Sequence, residues 1–171
     1  MNDFQGQIEE QRGKLKELLL KVPGFKGYIE MEDRRTADKL MRETVADHYQ
    51  ELIDQLTSVQ ASLVDEGYLD FVDDLENIVV RLRTFIDRIR HASYGYSSFF
   101  SAVKIDTETL DRLYEYDRSL LDGIDQFRDL IAALEQAQEE EEVKEAVSQL
   151  QQLSRQIVSQ ADQRAEVITQ E

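Results

Sequence analysis

Apolar residues recur every three or four positions along most of this chain, and they alternate with polar ones over no useful length. Three-and-four spacing lines one face of an α-helix, whereas alternation would line one face of a strand. The pattern predicts an all-α protein with no sheet. Helix breakers divide it. Pro23, Gly24 and Gly27 form one cluster, Gly67 stands alone, and Gly95 lies in a run rich in Ser and aromatics. Between them five helices are expected, at about 4–22, 30–66, 68–92, 106–137 and 139–169.

The seams are explicit. The helix at 30–66 carries Ala37, Met41, Val45, His48, Leu52, Leu56, Val59 and Leu63 on one stripe, and the helix at 68–92 carries Tyr68, Val72, Leu75, Val79, Leu82, Ile86 and Ile89. The helix at 106–137 has Leu113, Asp117, Leu120, Ile124, Phe127, Ile131 and Leu134 in line. The last stripe, Val143, Val147, Leu150, Ile157, Ala161 and Ile168, is thinner and set among Gln. It is compatible with loose docking, pairing with another copy, or a projecting coiled coil. Pro23 ends the first helix because it lacks an N–H and disfavours helix in the residue before it. Glu139 to Glu142 suit the positive end of the last helix dipole. Helices of roughly 30 residues are about 45 Å long. Joined by short turns, they predict one elongated, antiparallel, up-and-down bundle of four to five helices spanning 1–171.

Composition narrows the chemistry. The chain has 171 residues, with no Cys, no Trp and two His. Disulfides, thiol nucleophiles and Cys zinc sites are excluded. No apolar run is long enough to span a bilayer. The start, MNDFQGQIEEQRGK, lacks the apolar stretch of a signal peptide, so a cytoplasmic protein, at most peripheral to a membrane, is the expectation.

Charge adds a layout. There are 36 acids against 20 bases, a net charge of -16. The signs come in blocks. Residues 43–80 hold ten acids and no Lys or Arg, while 81–104 hold five bases and one acid. A hairpin folded about Gly67 puts Asp65, Glu66, Asp70, Asp73, Asp74 and Glu76 at its tip, with Glu139 to Glu142 returning there. Its other end collects Lys26, Arg34, Arg35, Lys39, Arg42, Arg88 and Arg90 beside Tyr28, Tyr94, Tyr96, Phe25, Phe99 and Phe100. Bases among aromatics suit a phosphate, a phospholipid head group or an acidic partner. The competing reading pairs Arg34 and Arg35 with Glu30, Glu32, Asp33 and Asp38 nearby, leaves Arg88 and Arg90 facing water, and uses the aromatics to cap the core. Nucleic acid is disfavoured by the net charge.

Polar residues on seams are the remaining candidates. If the helix at 106–137 folds back on the one at 68–92, Asp117 comes level with Arg81, and a buried Asp117–Arg81 pair is expected to fix the register. His48 reads as a hydrogen-bonded boundary residue, and His91 as a partner for Glu43. A ferritin-like metal centre needs Glu-x-x-His on two helices, and no such motif occurs. No Gly-x-Ser-x-Gly or phosphate-binding Gly-rich run is present either.

The run Val22-Pro-Gly-Phe-Lys-Gly-Tyr, followed by Glu32-Asp-Arg-Arg-Thr-Ala-Asp-Lys, resembles that of small all-helical bacterial proteins of no assigned activity. The resemblance is confined to this part of the chain and implies no catalytic or binding residue. In layout the chain is also similar to bacterial helical scaffold proteins that work at membranes. The expectation from all of this is a non-enzymatic interaction or scaffold protein without a cofactor, binding a protein partner or its own copy. An anion- or phospholipid-binding bundle is the alternative, and a metal-binding bundle a distant one.

Overall fold

A computed structural model describes residues 34–92 and 107–169. They form four α-helices, which we label α1 (Arg34–Glu66), α2 (Val72–His91), α3 (Thr107–Gln136) and α4 (Glu140–Thr169), with a 3-10 turn at Leu69–Phe71. No strand occurs among the described residues. The helix expected at 4–22 lies outside them.

The predicted boundaries agree with these within a few residues, and local chemistry sets each end. Gly67 takes φ +92°, a conformation that favours glycine. The Tyr68 N–H then reaches the Leu63 carbonyl at 2.9 Å and the Gly67 N–H reaches the Val64 carbonyl at 3.1 Å. These two bonds satisfy carbonyls that the end of α1 leaves open, the Schellman arrangement. The chain turns once through Leu69–Phe71 before α2 begins, so α2 starts four residues later than the periodicity alone implied. Asp73 and Asp74 occupy the first turn of α2, and Arg88, Arg90 and His91 its last. Each sign sits at the dipole end that favours it. At the start of α4 the Glu142 carboxylate accepts the Gln138 N–H at 2.9 Å and the Glu139 N–H at 3.2 Å. Those bonds hold its carboxyl below the usual carboxylate range.

Each helix buries one stripe in a shared core. Tyr49, Phe85 and Phe127 are fully buried at its centre. Tyr49 meets both rings edge-on, with centroids 4.7 Å from Phe85 and 5.8 Å from Phe127. Burying a side chain of this kind contributes about 1.5–3 kcal/mol. The last helix is fully part of this core. Val143, Val147, Leu150, Leu153 and Ile157 are buried, so α4 is neither loosely docked nor projecting.

The helix order departs from the simple up-and-down expectation. Helix α1 packs on α2 and on α3, and α4 packs on α2 and on α3. The successive helices α2 and α3 therefore stand diagonally across the bundle. The two hairpins, α1–α2 and α3–α4, lie side by side with their turns at the same end, where the Tyr68 hydroxyl donates to the Gln138 carbonyl at 3.3 Å. Antiparallel packing holds inside each hairpin. Between hairpins the neighbours run parallel, as Arg81–Ser154 and Arg88–Asp162 show for α2 and α4.

Candidate functional site

The end of the bundle opposite the turns holds the described part of the basic cluster, and there the bases are engaged within the chain. The Arg90 guanidinium donates to Asp47 at 2.7 Å, across the first hairpin. Arg88 donates to Asp162 of α4 at 2.8 Å. Lys39 lies 3.8 Å from Glu43 on its own helix. Arg42 is only 4% exposed and donates to the Ile89 carbonyl at 2.9 Å. Ile89 is in the last turn of α2, where carbonyls lack helical partners, so Arg42 caps that helix from the side. Arg88 and Arg90 therefore do not simply face water, because acids of other helices stand opposite them. The His91–Glu43 pairing is not formed. His91 Nδ1 donates to the Asp87 carbonyl at 2.8 Å, and Glu43 faces Lys39. Arg34 and Arg35 open α1, but their side chains, with Lys26, Tyr28, Tyr94 and Tyr96, lie outside the described residues.

The buried acid also has a different partner. Asp117 and Arg164 form a buried ion pair, both nearly inaccessible. Arg81 instead donates to the Ser154 hydroxyl at 2.9 Å. The Asp117–Arg81 expectation assumed that α3 folds back onto α2. The diagonal order puts α4 beside both, so it supplies a partner to each. Arg164 was legible in principle. Leu150, Ile157 and Arg164 continue at a seven-residue interval, which keeps position 164 on the core stripe. The apolar seam through Ala161 and Ile168 passed it over.

His48 is half-buried, with Nδ1 3.3 Å from the Glu51 carboxylate and 3.5 Å from the Arg128 guanidinium. One nitrogen cannot donate to the first and accept from the second at once, and the contact to Glu51 is the shorter. Among the described residues no three His, Asp or Glu side chains converge as metal ligands.

The turn end is the opposite in character. Asp65, Glu66, Asp70, Asp73, Glu76, Glu139, Glu140 and Glu141 are all exposed there. Lys144, 3.6 Å from Glu141, is the base set among them. Two exposed apolar side chains share this end, Leu69 at 62% and Val64 at 42%. No described helix is long and apolar enough to cross a membrane. No family model, no curated protein and no solved structure matches this chain.

Proposed function

We propose that the chain is a non-enzymatic interaction protein, and that its acidic turn end is the surface that engages a positively charged protein partner. One observation carries this reading. Asp65 and Glu66 occupy the last turn of α1, where the helix dipole favours cations, and no base stands in that turn. Both are exposed, and among the described residues neither has a cationic partner. Among the described residues these charges gain no partner, and the neighbouring acids of the second turn add repulsion. A cationic surface arriving from outside relieves it. The described bases at the other end support no comparable reading, since Lys39, Arg42, Arg88 and Arg90 each hold a carboxylate or a carbonyl of the chain. Head-to-tail self-assembly and phospholipid head-group binding would rest on Lys26, Arg34, Arg35, Tyr28, Tyr94 and Tyr96, whose side chains lie outside the described residues.

The test uses the full chain, light scattering after chromatography, and an oligo-lysine peptide as the probe. The peptide should bind at low salt and be released as salt rises, because exposed charges are screened within about 10 Å at 0.1 M. The variant Asp65→Asn/Glu66→Gln/Asp70→Asn/Asp73→Asn should lose most of this binding. Undiminished binding by that variant would reject the turn end as the site. A larger species of the chain alone, lost at high salt, would point to self-assembly instead.

A further inference from the structure

His48 stands at the rim of the seam between α1 and α3, one residue before Tyr49. Its side chain is only 15% exposed. Nδ1 of the ring faces two charges of opposite sign. The Glu51 carboxylate, one turn along α1, lies 3.3 Å away, and the Arg128 guanidinium of α3 lies 3.5 Å away. The contact to Glu51 is made at the exposed surface and stays within one helix. The contact to Arg128 is partly buried and joins the two hairpins. Two further charges stand nearby. On α3, Asp125 accepts from Arg128 at 3.2 Å and is itself 80% exposed. Toward α2, the other helix packed on α1, Asp47 precedes the ring and accepts from Arg90 at 2.7 Å.

We infer that His48 is a proton-operated clasp between the hairpins, holding Arg128 when neutral and Glu51 when charged. A ring nitrogen accepts without its proton and donates with it. A guanidinium only donates and a carboxylate ion only accepts, so the two contacts demand opposite states of Nδ1. In the neutral ring, a proton on Nε2 leaves the Nδ1 lone pair to the guanidinium. That bond is charge-assisted, and it is the less hydrated of the two contacts. Protonation of Nδ1 ends it. The new N–H donates to Glu51, and the two cations repel at this separation. Arg128 keeps Asp125, so its charge is not stranded. A bond between hairpins is thereby exchanged for one inside α1. Beneath the clasp the buried Tyr49 hydroxyl still donates to the Leu120 carbonyl at 2.9 Å, so acid loosens the rim of the seam and leaves the core closed.

Nitrogen NMR of the imidazole rings in the full chain reads the tautomer directly. The chain has two His, so His48→Ala assigns both by the loss of one set of signals. His91 is the internal reference, because its Nδ1 faces the Asp87 carbonyl at 2.8 Å and must carry a proton. Neutral His48 should show the reverse, with the proton on Nε2. A proton on Nδ1 of neutral His48 would overturn the inference. The second measurement is a cycle of His48→Ala and Arg128→Met, unfolded in urea at pH 8 and pH 5, on either side of the range where imidazole ordinarily titrates. The coupling should be favourable by about two- to fivefold in the unfolding equilibrium constant at pH 8, and absent or reversed at pH 5. The cycle of His48→Ala and Glu51→Gln should behave in the opposite way. A His48–Arg128 coupling of equal size at both pH values would overturn the clasp. If a variant does not fold, the tautomer in the native protein decides.

Discussion

The hydroxyl of Tyr49 on α1 occupies space that only a glycine at position 123 of α3 leaves open. A Cβ built on Gly123 would stand 2.6 Å from that oxygen and 2.4 Å from Cδ1 of Ile157 on α4. Three helices converge at this notch. It explains a buried glycine inside a helix, where glycine is normally less favourable than alanine by about 1 kcal/mol. It also sets how closely the second hairpin approaches the first.

Gly123→Ala should therefore destabilise the protein by about 1–3 kcal/mol, because overpacking outweighs the gain in helix propensity. A lowered midpoint in urea unfolding is the expected result. A raised midpoint would mean that the notch relaxes freely.

Tyr49→Phe should lower stability by about 1 kcal/mol through loss of the buried hydrogen bond to Leu120. It also removes the oxygen that a methyl group at position 123 would strike. The double variant with Gly123→Ala should then be less destabilised than the two single effects added together. Strict additivity would show that Ile157 alone closes the notch.

Burial pushes the Tyr49 phenol well above its ordinary range. The sign follows directly. Below the unfolded phenol's pKa, near 10, both states are protonated and nothing is lost. Above it the unfolded chain ionises while the folded one does not, so stability falls as pH rises, by up to about 1.4 kcal/mol per unit. Urea midpoints measured from pH 8 to pH 11 should fall less steeply in Tyr49→Phe than in the native protein.

Arg164→Met should cost about 3–5 kcal/mol, since it removes the buried cation that faces the Asp117 carboxylate. Arg81→Met breaks only a hydrogen bond to a hydroxyl, and its cost should be nearer 1 kcal/mol. Thermal or urea unfolding of the two variants side by side checks the assignment. The reverse order would restore Arg81 as the partner.

Glu142 gives a prediction at acid pH. Its carboxyl is held low by the Gln138 and Glu139 N–H groups, so its contribution is present above the ordinary carboxylate pKa. It fades as pH falls through the lowered folded value. The native protein should be more stable than Glu142→Gln near neutrality, and the gap should close toward pH 3. A gap that persists at that pH would assign the effect to packing.

Much of this protein is written in its sequence. Three-and-four spacing specified the helices because burying one stripe requires that period whatever the partner. Gly67 and the Glu139 to Glu142 run marked both turns, since a left-handed backbone and a helix N-terminus are local demands. The charge blocks placed an acidic end correctly, because the α1–α2 hairpin is fixed by its turn alone. Which helices become neighbours was decided only in three dimensions. An apolar stripe is non-directional and accepts any matching stripe. The placement of α3 beside α1, and of α4 beside α2, depends on shape and on single polar bonds: the Gly123 notch, Arg81–Ser154 and Arg88–Asp162. The partners of Arg81 and Arg88 follow from that placement, so they could not be read from spacing along one chain.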